Sequence, residues 1–148
     1  MATKTLYDLL EKHEGLRLKP YDDATGKPPG DKPIHGFLTI GVGRNLTSVG
    51  ISRNEARLLL KADIGKATSH AKQYKWFSTL NPARQAVVVS MVFNMGSINS
   101  FVKMRAAIAV KNWTEVVAQM QDSKWARQVG SRRLEDLTVM MRTGKWLQ

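Results

Sequence analysis

Between Ala83 and Met95 the chain is apolar on nearly every side of a helix, through Ala86, Val87, Val88, Val89, Met91, Val92 and Phe93. A helix that is apolar all round is a buried, central one. Asn81 is a good N-cap and Pro82 is tolerated at the first helical position, so the start is well marked. Gly96 predicts the end. A central helix needs neighbours, and the flanking sequence provides them. Ser52-Arg53-Asn54-Glu55 fits a capping box and opens a helix carrying Ala56, Leu59, Leu60 and Ile64, running to about residue 72. Phe101, Met104 and Ile108 follow at helical spacing, then Trp113, Val116, Val117 and Met120. A last helix carries Leu134, Leu137, Thr138 and Met141 and should end near Gly144. Everything after residue 51 reads as helical.

The first third of the chain is different. Residues 5–14 form a helix with Leu6, Leu9 and Leu10 on one face. Residues 16–21 alternate as Leu16, Arg17, Leu18, Lys19, the pattern of a half-buried strand. Gly26-Lys27-Pro28-Pro29-Gly30-Asp31-Lys32-Pro33 is a turn and loop segment, and Phe37 to Gly43 returns as a second strand. The fold class is therefore α+β and mostly helical. A small lobe with a β-hairpin, about 14–51, leads through a connecting helix at 52–73 into a larger all-helical lobe at about 74–148.

Composition sets further bounds. No apolar run in the 148 residues approaches the roughly 18 needed to span a membrane. Met1-Ala2-Thr3-Lys4 has no apolar core of a secretory signal. There are no cysteines, so neither disulfides nor thiol chemistry are available. Twenty-three basic and 12 acidic residues give a net charge of +11, which calls for an anionic partner such as nucleic acid, a membrane surface or an acidic polymer. His13, His35 and His70 share no ligand spacing, so no metal or other cofactor is expected. Gly41-Val42-Gly43 lacks the remainder of a nucleotide-binding fingerprint. The four tryptophans, Trp76, Trp113, Trp125 and Trp146, are assigned to helical segments, as packing residues rather than sugar platforms.

The chemistry is concentrated around Glu14. It ends the first helix, with Gly15 immediately after it. A carboxylate there faces the negative end of the helix dipole, which favours the form that keeps its proton. A proton-holding Glu can act as a general acid. Nine residues on stands Asp23, with Asp22 beside it as a competing assignment. A protonated Glu paired with an ionised Asp is what hydrolysis of a glycosidic bond requires. A Glu-Gly helix end followed by an acidic turn also occurs in many proteins with no such role.

The segment Glu14-Gly15-Leu16-Arg17-Leu18-Lys19-Pro20-Tyr21-Asp22-Asp23, followed by Leu38-Thr39-Ile40-Gly41-Val42-Gly43, resembles the T-even phage lysozyme family of glycoside hydrolases. The resemblance continues through Met91-Val92-Phe93-Asn94-Met95-Gly96, Trp113, Ser123-Lys124-Trp125 and Arg142-Thr143-Gly144-Lys145-Trp146. It implies one lysozyme-like domain over 1–148, with the N-terminal helix belonging to the larger lobe. It also implies a catalytic triad of Glu14, Asp23 and Thr39. Glu14 would donate its proton to the glycosidic oxygen. Asp23 would stay ionised and orient a water, which the Thr39 hydroxyl would hold on the opposite face of the sugar ring. Such an inverting arrangement places the two carboxyl groups about 6.5–9.5 Å apart.

Arg132 matches a family arginine that approaches the catalytic glutamate, with Arg133 beside it as a competing assignment and a solvated helix-start arginine as the other reading. Asn45, Phe93, Met104 and Gln119 match positions that touch the sugar chain, although a core role for Phe93 stays open. Two departures stand out: Arg44 replaces a histidine-like position, and the segment between Asp23 and Thr39 is longer than in the best-known members.

The implied activity is that of a phage endolysin, a muramidase that cleaves the β-1,4 bond between N-acetylmuramic acid and N-acetylglucosamine. The expected partner is peptidoglycan, whose acidic peptide stems suit the basic surface. The chain is expected to be a monomer in the host cytoplasm that reaches the wall through a holin-type pore. A lytic transglycosylase is an alternative; it needs only the Glu and leaves Asp23 and Thr39 without a role. A basic nucleic-acid-binding module would explain the charge, but no helix-turn-helix or aromatic-basic strand motif supports it, and no nucleic acid is expected. Weak contact of the basic C-terminal helix with an anionic membrane surface is a further alternative.

Overall fold

The computed structural model describes residues 5–30 and 32–148; Met1 to Lys4 and Asp31 of the loop lie outside the described residues. The chain divides into two compact units, one through Arg57 and one from Leu58. The first unit holds α1 (Leu6–Glu14), β1 (Arg17–Asp22), β2 (Leu38–Gly41), β3 (Arg44–Asn45) and the first turn of α2 (Arg53–Ala71). The second holds the rest of α2, a short 3-10 turn at Phe77–Thr79, α3 (Pro82–Met95), α4 (Val102–Ala109), α5 (Trp113–Gln121), α6 (Lys124–Gln128) and α7 (Ser131–Thr143).

In the first unit, Thr5 caps α1. Its side chain accepts from the Asp8 amide while the Asp8 carboxylate takes the Thr5 amide, a reciprocal pair that satisfies two helix-start donors. Gly15 stops the helix at φ 75°, with its N–H returned to Glu11 O at 2.8 Å. The sheet is antiparallel in the order β1-β2-β3. Tyr21 faces Thr39, Asp22 faces Leu38, and Thr39 in turn faces Asn45. The ladder slips between Arg17 and Tyr21, where Pro20 has no N–H to give to it.

Burial departs from expectation here. Leu16 and Leu18 are exposed, at 51% and 81%, where alternation predicted a half-buried strand. β1 is an edge strand of the sheet. Leu6, Leu9 and Leu10 of α1 share the predicted face but are likewise exposed. Arg17 lies over the Tyr21 ring, 4.0 Å from its centroid, and donates to Gly26 O at 2.7 Å, which ties the outgoing limb of the loop to β1.

The core lies in the second unit. α3 is central as predicted, with Ala83, Val87, Val88, Met91 and Val92 buried. α4 adds Met104 and Ile108, α5 adds Val116, Val117 and Met120, and α7 adds Leu137, Met140 and Met141. Asn81 caps two helices at once: its Oδ1 accepts from the Arg84 amide at the start of α3, and its Nδ2 donates to Gly144 O at the end of α7. Gly96 and Gly144 close α3 and α7 with positive φ, as their positions predicted.

The tryptophans do not all sit in helices. Trp76 stands in the turn before Phe77, stacked on Tyr74 with centroids 5.1 Å apart, and Trp146 lies beyond α7 and is exposed. Only Trp125 is fully buried, donating through its indole N–H to Asn94 Oδ1.

Candidate active site

Glu14, Asp23 and Thr39 all belong to the first unit, and each lies at or beside the end of an element. Glu14 is the last residue of α1 and is exposed. Its side chain runs along the Gly43 backbone so closely that a Cβ on Gly43 would sit 3.2 Å from Oε2 and 3.5 Å from Cδ. Gly43 has φ 68°, in the turn that joins β2 to β3. The glycine therefore serves twice, adopting a left-handed backbone and leaving room for the carboxyl.

Asp23 directly follows β1. Its amide donates to Phe37 O at 3.1 Å, and its Oδ1 accepts from the Phe37 amide at 2.7 Å. Thr39 is buried, and its hydroxyl donates to the same Phe37 carbonyl at 3.0 Å. The backbone of one residue, Phe37, thus holds both. Because the Thr39 proton is spent on that carbonyl, its oxygen can accept from a further donor.

The two neighbouring aspartates have different environments. Asp22 is only 5% exposed, and its carboxylate is filled by backbone donors: Ala24 and Gly36 on Oδ1 at 2.9 and 3.0 Å, His35 on Oδ2 at 2.8 Å. The His35 N–H, with those of Ala24 and Gly36, holds this carboxyl below the usual aspartate range against the opposing effect of burial. Asp23 is exposed, and among the described residues no hydrogen bond reaches its Oδ2. Of the two, Asp23 is the one that can present a carboxylate oxygen to solvent or substrate.

Arg44 is bidentate to Glu55, at 2.8 and 2.7 Å, and also donates to Gly50 O. Glu55 simultaneously accepts the Ser52 amide, and the Ser52 hydroxyl takes the Glu55 amide, so the expected capping box is formed. The guanidinium, with the Ser52 amide second, lowers the Glu55 carboxyl to about 2. The clamp fixes β3 to the first turn of α2, next in the chain to the glycine that borders Glu14. Asn45 accepts the Ser48 amide on its Oδ1 at 2.9 Å, which orients the side-chain amide and leaves its NH2 available to a ligand.

The other expected contacts belong to the second unit. Met104 is a core residue, 1% exposed, at the floor of a cavity of about 540 Å³ that Gln119 also lines, with Trp125 and Lys124 on its wall. Gln119 donates to Glu115 across one helical turn at 2.7 Å. Phe93 is 43% exposed, so it is a surface side chain of α3; it lines an apolar groove with Ile64, Val89 and Trp146. Arg132 is exposed in the first turn of α7.

Phage lysozyme is the family whose model matches residues 11–142. The chain belongs to the phage lysozyme family. It is also 27% identical to the pre-baseplate central spike protein Gp5 of Enterobacteria phage T4, an alignment that covers 95% of this chain and 28% of that relative. The chain thus spans little more than a quarter of that relative's length.

Three features of the site carried no sequence signal: the Phe37 backbone bonds, the approach of Gly36 to Asp23, so close that a Cβ on Gly36 would overlap Oδ1, and the three amides on Asp22. Arg44 and Glu55 each stood out for other reasons, but their pairing is tertiary. Among the described residues no group of three or more His, Asp or Glu could hold a metal, and no helix is long and apolar enough to cross a membrane.

Proposed function

We propose that this phage lysozyme family member degrades peptidoglycan as a muramidase, hydrolysing the β-1,4 bond between N-acetylmuramic acid and N-acetylglucosamine with inversion. The observation that carries the reading is the Phe37 backbone, whose N–H donates to an exposed carboxylate, Asp23, and whose carbonyl accepts from a buried hydroxyl, Thr39. A water that donates one proton to Asp23 and the other to Thr39 Oγ1 keeps a lone pair for the anomeric carbon. Glu14 protonates the glycosidic oxygen as the C–O bond breaks, and Asp23 takes the proton from the attacking water. The new bond forms on the face opposite the leaving group, which defines inversion.

Met104 and Gln119 share a cavity of mixed lining, suited to a glycan or its peptide stem. The charge of +11 favours an acidic wall polymer. The biological setting proposed is host lysis, with passage to the wall through a holin-type pore. Likeness to a spike protein favours a second setting for the same chemistry, as a wall-degrading activity carried on the phage particle. Recovery of the chain in purified particles would distinguish that setting from free endolysin.

The test is wall lysis by Glu14→Gln and Asp23→Asn beside wild type. Both should lose at least about a hundredfold in rate, given the usual worth of a positioned acid or base. Near-normal rates in both would remove the assignment. Muropeptides with reducing ends support hydrolysis, whereas anhydro ends as the main product would assign a transglycosylase.

A further inference from the structure

The segment from Gly26 to Gly36 leaves the end of β1 and must return beside Asp23 before β2 begins. Its outgoing limb is held by main-chain bonds to Asp22: the Asp22 amide donates to Lys27 O at 2.9 Å, and the Asp22 carbonyl accepts from Thr25 and Gly26 at 3.3 and 2.8 Å. Its return limb is held by the Asp22 side chain. Among the described residues, the amides of residues 32–36 find hydrogen-bond partners only there, His35 on Oδ2 and Gly36 on Oδ1. One residue therefore ties both limbs together.

The seat of that return limb decides where Asp23 can point. Gly36 passes so close to Asp23 that a Cβ would overlap Oδ1 outright and come within 2.8 Å of the Ala24 Cβ. The next amide, Phe37, donates the 2.7 Å bond that orients the Asp23 carboxylate. Ala24, on the other side of Asp23, gives its N–H to the same Asp22 oxygen as Gly36. The backbone on both sides of Asp23 is thus gathered onto its neighbour. Each of the three donors is charge-assisted by an ionised acceptor, which makes them stronger than ordinary amide bonds.

We propose that Asp22 is a positioning residue, which seats the His35–Gly36 backbone against Asp23 and so sets the direction of that carboxylate. It does not touch substrate. The proposal rests on the reading of Asp23 as the water-orienting carboxylate. It also gives the return limb, residues 32–36, a place beside the site, just ahead of the Phe37 donor.

Two variants test it. Asp22→Asn keeps Oδ1 for Ala24 and Gly36 but turns an N–H2 donor toward the His35 amide. Asp22→Ser keeps a single short acceptor. Glycan hydrolysis is measured as kcat and KM separately, with melting temperature, and the Phe37 amide proton is followed by NMR against pH, because its shift reports the titration of the carboxylate it bonds. The expected result is a kcat lower by about 10- to 100-fold, the cost of misplacing a reacting group by an ångström. KM should stay within about twofold, as expected for a group that acts on the transition state alone. The Phe37 amide should lose most of its pH-dependent shift.

A wild-type kcat with an unchanged Phe37 titration, in variants that remain folded, would overturn the proposal. So would a fall in melting temperature with no change in either readout, which is what a purely structural aspartate would give. Asp23→Asn is measured alongside. If it keeps wild-type kcat, the catalytic reading of Asp23 fails, while the Phe37 titration in the Asp22 variants still decides the positioning claim by itself.

Discussion

Replacing Arg84 with Ala should destabilise the helical unit more than any other surface-accessible substitution in α3. The side chain leaves the first turn of α3 and reaches the C-terminal end of α7. There Nε donates to Met141 O at 2.8 Å and Nη2 to Arg142 O at 3.0 Å. The guanidinium also lies 3.7 Å from the centroid of the Trp113 ring. The carbonyls are two of those a helix C-terminus leaves unpaired, and a cation is favoured there by the helix dipole. Burial of the guanidinium lowers its pKa, so part of this gain is offset by desolvation.

Two charge-assisted bonds contribute about 1.5–3 kcal/mol each, net of the water they displace. The stacked cation adds about 0.5–2 kcal/mol. The low ends of these ranges total about 3.5 kcal/mol, and the desolvation of the guanidinium offsets part of that, so about 3 kcal/mol is expected for Arg84→Ala. Unfolding entropy of ~2.1 cal/mol/K per residue gives about 0.3 kcal/mol/K for a chain of this length, so the melting temperature should fall by about 10 °C. Arg84→Lys keeps the charge but neither the fork nor the flat stack, and should recover less than half of the loss. Thermal melts and urea titrations of the three proteins check this. A shift of under about 2 °C for Arg84→Ala would refute the reasoning, because the fork and the stack would then be carrying no net stability.

Gly43→Ala and Gly41→Ala form a matched pair. Both glycines have φ 68°, so both variants bear the same left-handed strain of about 1–2 kcal/mol. Only the Cβ at 43 meets Glu14, whereas at 41 nothing lies within 4 Å. Gly43→Ala should therefore lose at least about tenfold more lysis rate than Gly41→Ala at equal stability, and equal rates would dismiss the packing of Glu14 on Gly43 as functional. Glu55→Gln tests the Arg44 clamp through pH. The Glu55 carboxyl falls from 4.5 to about 2 in the folded protein, so its contribution is present above about pH 4.5 and is lost as the pH falls toward 2. Wild type should be more stable than Glu55→Gln at pH 7, and the gap should close on acidification; a gap that is constant with pH would show that the ion pair is not its source.

The elements legible in the sequence were those with long periods to read. α3 announced itself through its apolar circumference and its Asn-Pro start, and α7 through Leu137 and Met141 and the glycine that ends it. β3 has two residues and α6 five, too few for either period to repeat. The alternation of Leu16 and Leu18 did mark a strand, β1, although Leu16 stands just before it and both side chains are exposed. Periodicity tells which side chains lie together; it does not tell whether anything covers them. The basic C-terminal segment shows the opposite case. Its amphipathic pattern also suited a membrane surface, yet Leu137, Met140 and Met141 are spent on the core of the second unit. Beyond α7, Trp146 and Leu147 stay exposed.

At the site, residue type carried information that residue placement did not. Glu14, Asp23 and Thr39 could be singled out because few side chains can donate a proton, hold a charge or bind a water. What fixes them is backbone, and backbone has no residue signature. Gly15, Gly41 and Gly43 are demanded by positive φ, which a turn pattern can suggest. Gly36 is demanded instead by the closeness of Asp23, thirteen positions back in the chain, and nothing local marks it. The same holds for Asp22, whose three partners are amides of ordinary residues brought to it by the return of the loop. Asp22 could be read from the sequence as a carboxylate beside Asp23, but the return of the loop that brings the His35 and Gly36 amides to it could not.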